Sequence, residues 1–281
     1  MQSIFHGRQL IITTKHEKHH AIAPVLERLL GVSCVLSSEF DTDSLGTFSG
    51  EIERKKDALA TVREKCQVGM REANIDLGVA TEGSFGPHPY FPFIAGHEEI
   101  ILLIDQRHGL EILVRELTTE TNFDGLQVSS EEDLLRFAER TGFPEHALIL
   151  RPHKEAKAPI YKGIHTADTL LRHFKALKTA FGDVYVETDM RAMHNPMRMT
   201  FIEKLSDKLA QKALNNCPNC QTPGFSVTER IQGLPCAHCG RPTRSVLSHL
   251  MICAACSFQK EIPFPNEKQT EDPMYCDFCN P

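Results

Sequence analysis

CPNC at residues 217–220 is the first of four C-x-x-C pairs that decide the fold of the C-terminal part of this chain. CAHC (236–239), CAAC (253–256) and CDFC (276–279) follow it, with 15, 13 and 19 residues between successive pairs. Two thiolates spaced in this way on a tight turn can face one metal ion, and two such turns complete a tetrahedral site. We therefore predict two structural zinc ions with eight ligands: Cys217, Cys220, Cys236, Cys239, Cys253, Cys256, Cys276 and Cys279.

Spacing alone leaves three ways of pairing the four turns. The segment from Cys236 to Ile262 has the pattern of a zinc ribbon by itself, because an apolar run enters Cys253 and a strand-like run leaves Cys256. This pattern slightly favours a nested arrangement, in which the second and third turns share one ion and the outer two share the other. Sequential pairing, first with second and third with fourth, is nearly as good an interpretation.

The segment that carries these turns is poor in core residues. From Cys217 to Pro281, only 15 of 65 residues are Val, Ile, Leu, Met, Phe or Tyr, too few for a separate domain to fold by burial alone. Structural zinc is worth on the order of 10 kcal/mol, so the segment should fold when loaded and unfold when stripped. A disulfide framework is the alternative, but it does not suit a cytosolic protein, whose thiols are kept reduced.

Charge bears on the partner of this zinc segment. Its five basic and six acidic residues give a net charge of −1. Nucleic-acid modules normally present a basic face, because phosphate contacts supply much of their affinity. Binding of nucleic acid is thus not favoured by charge, and a structural or protein-contact role is the preferred interpretation.

The whole chain has the composition of a globular protein. Its 281 residues include 31 basic and 37 acidic side chains, and a formal charge of −6 excludes a strongly cationic nucleic-acid coat. The longest run of large apolar residues, Ile100–Ile104, is far shorter than the roughly 20 residues of a membrane span. The first residues also lack the apolar core of a signal peptide. We expect a cytoplasmic protein outside the membrane.

Periodicity divides the chain into an α/β domain over residues 1–215 and a zinc-ribbon domain over 216–281. Short apolar runs alternate with segments of period 3.6, which predicts a mixed sheet with flanking helices in the first domain. Asn195 and Pro196 supply the N-cap and first-turn signals of its last helix. The stretch EGSFGPHPYFPF (82–93) has two glycines and three prolines, so we expect an irregular loop there, acting as a site or a lid.

The first strand passes to its helix at TTKHEK (13–18). Thr13 contributes a hydroxyl group and Lys18 an ammonium group, beside the free N–H groups of a helix start. Such N–H groups and the helix dipole attract phosphate. These residues are candidates for phosphate binding, and a solvated basic turn is the alternative.

Acidic residues follow in the next segments. Glu51 and Glu53 precede the second predicted helix, and Glu82 directly follows a predicted strand. Carboxylates at strand ends beside a phosphate-binding lysine are the ingredients of a magnesium-dependent phosphoryl or nucleotidyl reaction. The alternative is that these acids are merely solvated.

A third polar cluster is ETDMRAMHNPMR (187–198), around the start of the last helix. Arg191 and Arg198 could hold an anionic group through two hydrogen bonds each, with His194 nearby as a further substrate-binding residue. The alternative is an internal ion-pair network that holds helix to sheet.

Four stretches together resemble one family. They are DTDSLGTFSGEIER (41–54), EGSFGPHP (82–89), ETDMRAMHNP (187–196) and CDFCNP (276–281). The family is known only as domain of unknown function 6671, and the resemblance is expected to extend over nearly the whole chain. It implies no activity, but it implies that the ribbon is an integral part of the protein.

The order of elements in the first 117 residues is similar to that of the house-cleaning inosine/xanthosine triphosphate pyrophosphatases. Those enzymes open with a strand that is followed by the motif T/S-x-N-x-x-K. Thr13 and Lys18 match the first and last residues of this motif, and Lys15 stands in place of its asparagine. The resemblance implies hydrolysis of a nucleoside triphosphate to a monophosphate and pyrophosphate. Lys18 would hold the phosphates, and Glu51 and Glu82 would bind magnesium.

These patterns give one hypothesis and one alternative from a different class. The hypothesis is a zinc protein whose α/β domain hydrolyses a nucleotide, or another phosphate-bearing small molecule, with magnesium. The alternative is a non-enzymatic protein whose ribbon binds a protein or nucleic-acid partner. The sequence does not decide between an enzyme and a binding protein, and it sets no oligomeric state.

Overall fold

The structure, a computed structural model, describes residues 3–37 and 57–281. It divides into two compact units, Met1–Ala210 and Gln211–Pro281. Mixed α/β structure in the first unit and two four-cysteine groups in the second confirm the predicted fold class.

The first unit contains a five-stranded sheet with the order β2-β1-β3-β4-β5. β1 is parallel to β2 and β3, whereas β3, β4 and β5 are antiparallel, so the sheet is mixed as predicted. Its strands are β1 (Gln9–Thr13), β2 (Ser33–Leu36), β3 (Leu77–Pro87), β4 (Ala95–Asp105) and β5 (Leu110–Thr118).

Within the described residues, helices α1 (His19–Leu30) and α2 (Ala58–Ala73) contact this sheet. Apolar residues at period 3.6 bury one face of each helix. α1 ends at Gly31, whose φ of 69° suits a residue without a Cβ. The Asp57 carboxylate caps α2 by accepting a hydrogen bond from the N–H of Ala60 at 2.8 Å. α2 packs on one face of β3 and β4, with Cys66 in the core between them.

The stretch 82–93 is not an irregular loop throughout, so that prediction was wrong. β3 continues to Pro87 and pairs with β4 from Glu82↔Ile100 to Pro87↔Ala95. Continuous antiparallel hydrogen bonding over this length outweighs the low strand propensity of its two glycines. Glu82 therefore lies within a strand and not after one.

A second sheet in the first unit is entirely antiparallel, with the order β6-β9-β7-β8. Helices α3 and α4 contact it, and Leu170, Phe174 and Leu177 of α4 belong to its core. The elements are β6 (Gly125–Val128), α3 (Glu131–Arg140), β7 (Leu148–Arg151), β8 (Tyr161–Ile164), α4 (Ala167–Phe181) and β9 (Val184–Thr188).

The last helix, α5 (Pro196–Leu214), follows a short 3₁₀ turn at Ala192–His194. The predicted N-cap is confirmed, because the Asn195 Oδ1 accepts a hydrogen bond from the N–H of Arg198 at 2.9 Å. The predicted inward residues of α5 are all fully buried: Ile202, Leu205 and Leu209.

The second unit is a three-stranded antiparallel sheet of β10 (Val227–Gln232), β11 (Val246–Ile252) and β12 (Gln259–Pro263). Every residue of β12 is exposed, and β10 has only one residue that is not. The buried cluster at one end of the sheet includes Cys217, Phe225, Met251 and Cys253. This small core agrees with the expectation that burial alone does not stabilise the unit.

None of the helices within the described residues, 3–37 and 57–281, combines the length and apolar character needed to cross a bilayer.

Candidate functional sites

The four C-x-x-C turns share one backbone geometry. In each turn the residue after the second cysteine donates its N–H to the carbonyl of the first, at 2.8–2.9 Å. In the first three turns that residue has a left-handed φ, namely 62° at Gln221, 71° at Gly240 and 57° at Ser257. The same backbone turn directs each pair of sulfur atoms to one side, as a metal-binding turn requires.

The eight cysteines form two groups of four: Cys217, Cys220, Cys253 and Cys256 in one, and Cys236, Cys239, Cys276 and Cys279 in the other. Within each group the ligand atoms all lie within 4.8 Å of one another. The Sγ–Sγ distances between turns are 3.7 and 3.6 Å in the first group and 3.9 and 3.6 Å in the second. A tetrahedron with metal–sulfur bonds of about 2.3 Å has edges of about 3.8 Å. Each group therefore fits one ion.

The favoured nested pairing was wrong, and so was the sequential alternative. The first turn pairs with the third and the second with the fourth. The sheet explains this crossed arrangement, because Val227 at the start of β10 pairs with Met251 near the end of β11. The first and third turns flank these two positions and so meet at one end of the sheet.

The second and fourth turns meet at the opposite end by the same logic. β12 runs antiparallel to β11, and Pro263 at its end pairs with Ser248 near the start of β11. The second turn lies between β10 and β11, and the fourth follows β12. The strand that sequence reasoning missed is β10, whose sequence VTERIQ is largely polar and exposed.

In the first unit, Lys18 is buried at the end of the turn between β1 and α1. Its Nζ donates a hydrogen bond to Thr81 Oγ1 at 2.9 Å and lies 3.6 Å from Glu99 Oε2. Burial, assisted by the charge of Arg198, lowers the pKa of Lys18 to about 7, although Glu99 and Glu82 oppose the shift. Lys18 is thus poised between its charged and neutral forms near neutral pH.

Glu99 links Lys18 to Arg198 at the start of α5. Arg198 Nε lies 2.6 Å from Glu99 Oε1, and Arg198 donates a further hydrogen bond to the Met190 carbonyl at 2.5 Å. Burial alone would raise the pKa of Glu99, but Arg198 and Lys18 hold it well below its ordinary range. His97 Nε2 lies 3.3 Å from the same carboxylate, and burial lowers the pKa of His97. These four side chains form the Glu99 cluster.

Gly83 makes room for the Glu99 cluster. A Cβ at this position would lie 2.3 Å from Glu99 Oε1 and 2.4 Å from Arg198 NH2. Only glycine therefore permits the ion pair to lie directly against β3. This requirement gives Gly83 a packing role that its sequence context did not reveal.

Glu82 belongs to a different face of the sheet. Neighbouring residues in a strand point to opposite faces, so Glu82 and Thr81 diverge. Glu82 Oε2 accepts a hydrogen bond from Lys65 Nζ of α2 at 2.5 Å, whereas Thr81 contacts Lys18. The charges of Lys18 and Glu82 interact, but no hydrogen bond between them occurs within residues 3–37 and 57–281.

Thr13 is fully buried on the α2 side of β1. A Cβ at Gly69 of α2 would lie 1.8 Å from its Oγ1, so the two elements touch at this point. The neighbouring turn is strained, because His16 and Glu17 have left-handed φ values of 61° and 60°. Such strain often accompanies functional sites.

Arg191 and His194 lie together in a polar cluster beside Gly163, where a Cβ would be 3.4 Å from Arg191 NH2 and 3.0 Å from His194 Nε2. Asp189 is fully buried and accepts hydrogen bonds from Arg191 Nε at 2.9 Å and Arg191 NH2 at 2.6 Å. Its Oδ2 also accepts a hydrogen bond from the Gly163 N–H at 3.0 Å. Burial would raise the pKa of Asp189, but the hydrogen bonds of Arg191 lower it. Two of the predicted substrate-binding residues thus lie together.

The polar cluster and the β1–α1 turn lie on the same side of the first unit. Glu17 of the turn interacts electrostatically with His194, and Lys18 and Arg198 share Glu99. The sequence-predicted segments 13–18 and 187–198 are therefore brought together. The sequence analysis missed Lys65, His97 and Glu99. A signal for Glu99 was present, because neighbouring strand residues face opposite sides of a sheet and one carboxylate of the pair Glu98–Glu99 must therefore point inward.

The predicted magnesium ligand Glu51, like Glu53, lies outside the described residues. Among residues 3–37 and 57–281, the two cysteine groups are the only sets of three or more His, Cys, Asp or Glu placed to hold a metal ion. Glu82 has Lys65 as its ion-pair partner. The described structure therefore gives no support to magnesium binding.

A family model described as Domain of unknown function (DUF6671) matches residues 65–281. The chain belongs to this family. The DUF6671 match covers all eight metal-site cysteines, together with Glu82 and the segment 187–198. The match starts after the segment 41–54. The family resemblance was expected over nearly the whole chain, but the family model covers only residues 65–281. No curated protein matches the chain.

Proposed function

We propose that the C-terminal unit holds two structural zinc ions, one in each cysteine group. The observation that carries this proposal is the Sγ–Sγ spacing of 3.6–3.9 Å between paired turns. Four thiolates suit zinc and not magnesium or calcium, which prefer oxygen ligands. The scarcity of buried residues in the unit supports a structural role. Eight reduced thiols also suit a reducing compartment, so we place the protein in the cytoplasm.

Metal counting combined with alkylation tests both the ions and their pairing. Native mass spectrometry of reduced protein should find two zinc ions per chain. Cys217→Ser should release one ion and expose Cys220, Cys253 and Cys256 to alkylation, while the other group stays protected. Cys34→Ser is the matched control and should retain both ions. Fewer than one zinc per folded chain would refute the proposal, and exposure of Cys236 in the Cys217→Ser variant would refute the pairing.

For the first unit, we propose a binding site for a phosphate-bearing small molecule, of the nucleotide class, on the side where segments 13–18 and 187–198 meet. What supports it is that Lys18 and Arg198 approach the same Glu99 carboxylate, while Arg191 and His194 both lie against Gly163. Cationic side chains near a strained turn at a helix start are suited to phosphate.

Hydrolysis of a nucleoside triphosphate to a monophosphate and pyrophosphate is the catalytic form of this proposal. Its support is the resemblance of the first elements to the inosine/xanthosine triphosphate pyrophosphatases, together with the electrostatic interaction of Lys18 and Glu82. For Glu82 to bind magnesium, it must exchange its ion pair with Lys65 for the metal. This requirement makes Glu82 the residue that decides the hydrolase proposal.

A panel of nucleoside triphosphates with magnesium tests for turnover through pyrophosphate release by the zinc-loaded protein. Glu82→Gln should abolish release, whereas Glu98→Gln, a carboxylate that pairs with Arg115 on β5, should not. No release across the panel would refute hydrolysis, and full activity of Glu82→Gln would refute the role of Glu82 in it.

The non-enzymatic alternative predicts ligand binding without turnover, with a protein or nucleic-acid partner on the ribbon. A salt-dependent gel shift that disappears on chelation would support a nucleic-acid partner. The net charge of −1 in the segment 217–281 does not favour that outcome.

A further inference from the structure

Two histidines of the first unit are joined by a hydrogen bond. His165 Nε2 and His194 Nδ1 are 2.9 Å apart, and His165 Nδ1 lies 3.2 Å from the Pro144 carbonyl oxygen. A carbonyl oxygen only accepts hydrogen bonds, so the proton at this contact belongs to His165 Nδ1. With a neutral His165 ring, Nε2 is an acceptor, and the proton between the rings belongs to His194 Nδ1.

His194 Nε2 therefore keeps its lone pair. Within residues 3–37 and 57–281 this atom has no hydrogen-bond partner. Gly163 lies against it, because a Cβ there would be 3.0 Å from His194 Nε2 and 3.4 Å from Arg191 NH2. Gly163 also has a φ of 68°, a conformation that glycine adopts readily. An available basic nitrogen and a guanidinium thus lie side by side on a half-buried surface.

We propose that His194 is a general acid–base residue of the first unit and that His165 is a positioning residue, which fixes the tautomer of His194 and passes its proton to solvent. The proposal deepens the phosphate-ligand site and rests on it for the substrate class. Arg191 would lie beside the phosphate group while His194 Nε2 takes a proton from an attacking water or hydroxyl group.

The relay conserves protons: one enters at His194, and one leaves from His165 to water. When His194 Nε2 gains a proton, the Nδ1 proton of His194 moves to His165 Nε2. The positive charge then resides on His165, which is exposed and can release its Nδ1 proton to water, so that both rings are again neutral. The reverse sequence returns a proton to a leaving group, so the same pair serves as acid and base.

The charged surroundings of His194 favour this role. Asp189 and Arg191 face it from its own segment, His165 from the segment before α4, and Glu17 from the β1–α1 turn. Burial lowers the pKa of His194, and Arg191 and His165 act in the same direction, against Asp189 and Glu17. His194 is therefore neutral at pH 7, as a base must be.

The test measures the tautomer and nitrogen reactivity of His194 without using turnover. Long-range ¹⁵N–¹H correlation spectra of the zinc-loaded full chain should show His194 protonated at Nδ1. Diethylpyrocarbonate, which acylates neutral imidazole nitrogens, should modify His194 at Nε2, as mapped by peptide mass spectrometry. A His194 protonated at Nε2 in the native protein would overturn the proposal, whether or not the protein hydrolyses nucleotides.

Substitutions of His165 distinguish a role in positioning His194 from a general role in the stability of the fold. His165→Phe removes the acceptor, so acylation of His194 should slow by about two- to tenfold, the size of one net hydrogen bond. His165→Gln supplies an amide oxygen as acceptor and should restore both the tautomer and the acylation rate. His153→Phe is the control, an exposed histidine paired only with Glu155 among the described residues, and should change nothing. Equal acylation of His194 in His165→Phe and the native protein would refute the role of His165.

Discussion

The two units of this protein reach their polar sites in opposite ways. In the second unit the metal ligands occur in pairs two residues apart, so each pair is placed by one local turn. In the first unit the Glu99 cluster unites a turn, a strand and a helix, and Lys18 and Arg198 are 180 residues apart in sequence. The difference shows that a site can be predicted from the sequence when a single local turn places its ligands.

Stability should differ between the units for the same reason. The described part of the first unit has cores of aliphatic and aromatic residues, whereas the second unit has few buried side chains and, on our proposal, depends on metal. Four predictions test this contrast, from the largest expected effect to the smallest.

Metal removal should unfold the second unit and spare the first. Structural zinc contributes on the order of 10 kcal/mol, which far exceeds the burial that this unit can supply. Hydrogen exchange of the full chain after chelation should show loss of protection in residues 217–281 and retention in residues 57–210. Retained protection in the ribbon after complete metal loss would contradict the contrast.

Breaking the Glu99 cluster should destabilise the first unit alone. Arg198→Met leaves Glu99 buried without its main cation and should cost about 3–5 kcal/mol of unfolding free energy. Arg115→Met, which removes a surface pair with Glu98, should cost about 0–1 kcal/mol. Urea-dependent hydrogen exchange in residues 57–210 measures the unfolding free energy of both variants. Similar losses in the two variants would contradict the claim that burial makes the Arg198–Glu99 pair more important than the surface pair.

The glycines of β3 offer a sharper comparison within one strand. Gly83→Ala should cost about 1–3 kcal/mol, because its Cβ would overlap Glu99 and Arg198. Gly86→Ala has no atom within 4 Å of the new Cβ and should be nearly neutral. The same urea measurement applies, and equal effects at the two positions would argue against a close approach at Gly83.

The pH dependence of stability should reveal Lys18. Burial lowers the pKa of Lys18 from about 10.5 to about 7 in the folded protein. The unfolded chain therefore binds more protons between about pH 7 and pH 10, and unfolding free energy should rise with pH there, by up to about 1.4 kcal/mol per unit. Below pH 7 this group adds no slope. Lys18→Met should remove the rise, and an unchanged slope would contradict the assignment to Lys18.

Local patterns predicted most helices and strands of the first unit, because periodicity and capping depend on neighbouring residues. Asn195 was a correct N-cap, and Gly31 a correct helix end. The prediction for the stretch 82–93 was wrong because its first half pairs with β4, and this pairing outweighs the local preference of glycine and proline for irregular structure. The pairing cannot be read from the sequence of the stretch itself. The crossed metal pairing was missed for a similar reason, since it depends on the exposed strand β10.

The sequence by itself determined that eight cysteines form four metal-binding turns, because each turn is a local structure with fixed ligand spacing. It also determined the family and the core faces of the helices. Only the tertiary structure decided which turns share an ion, and that Lys18 lies with Arg198 while Glu82 faces the other side of the sheet. Those outcomes depend on strand order and register, and these are set by packing between residues far apart in the chain.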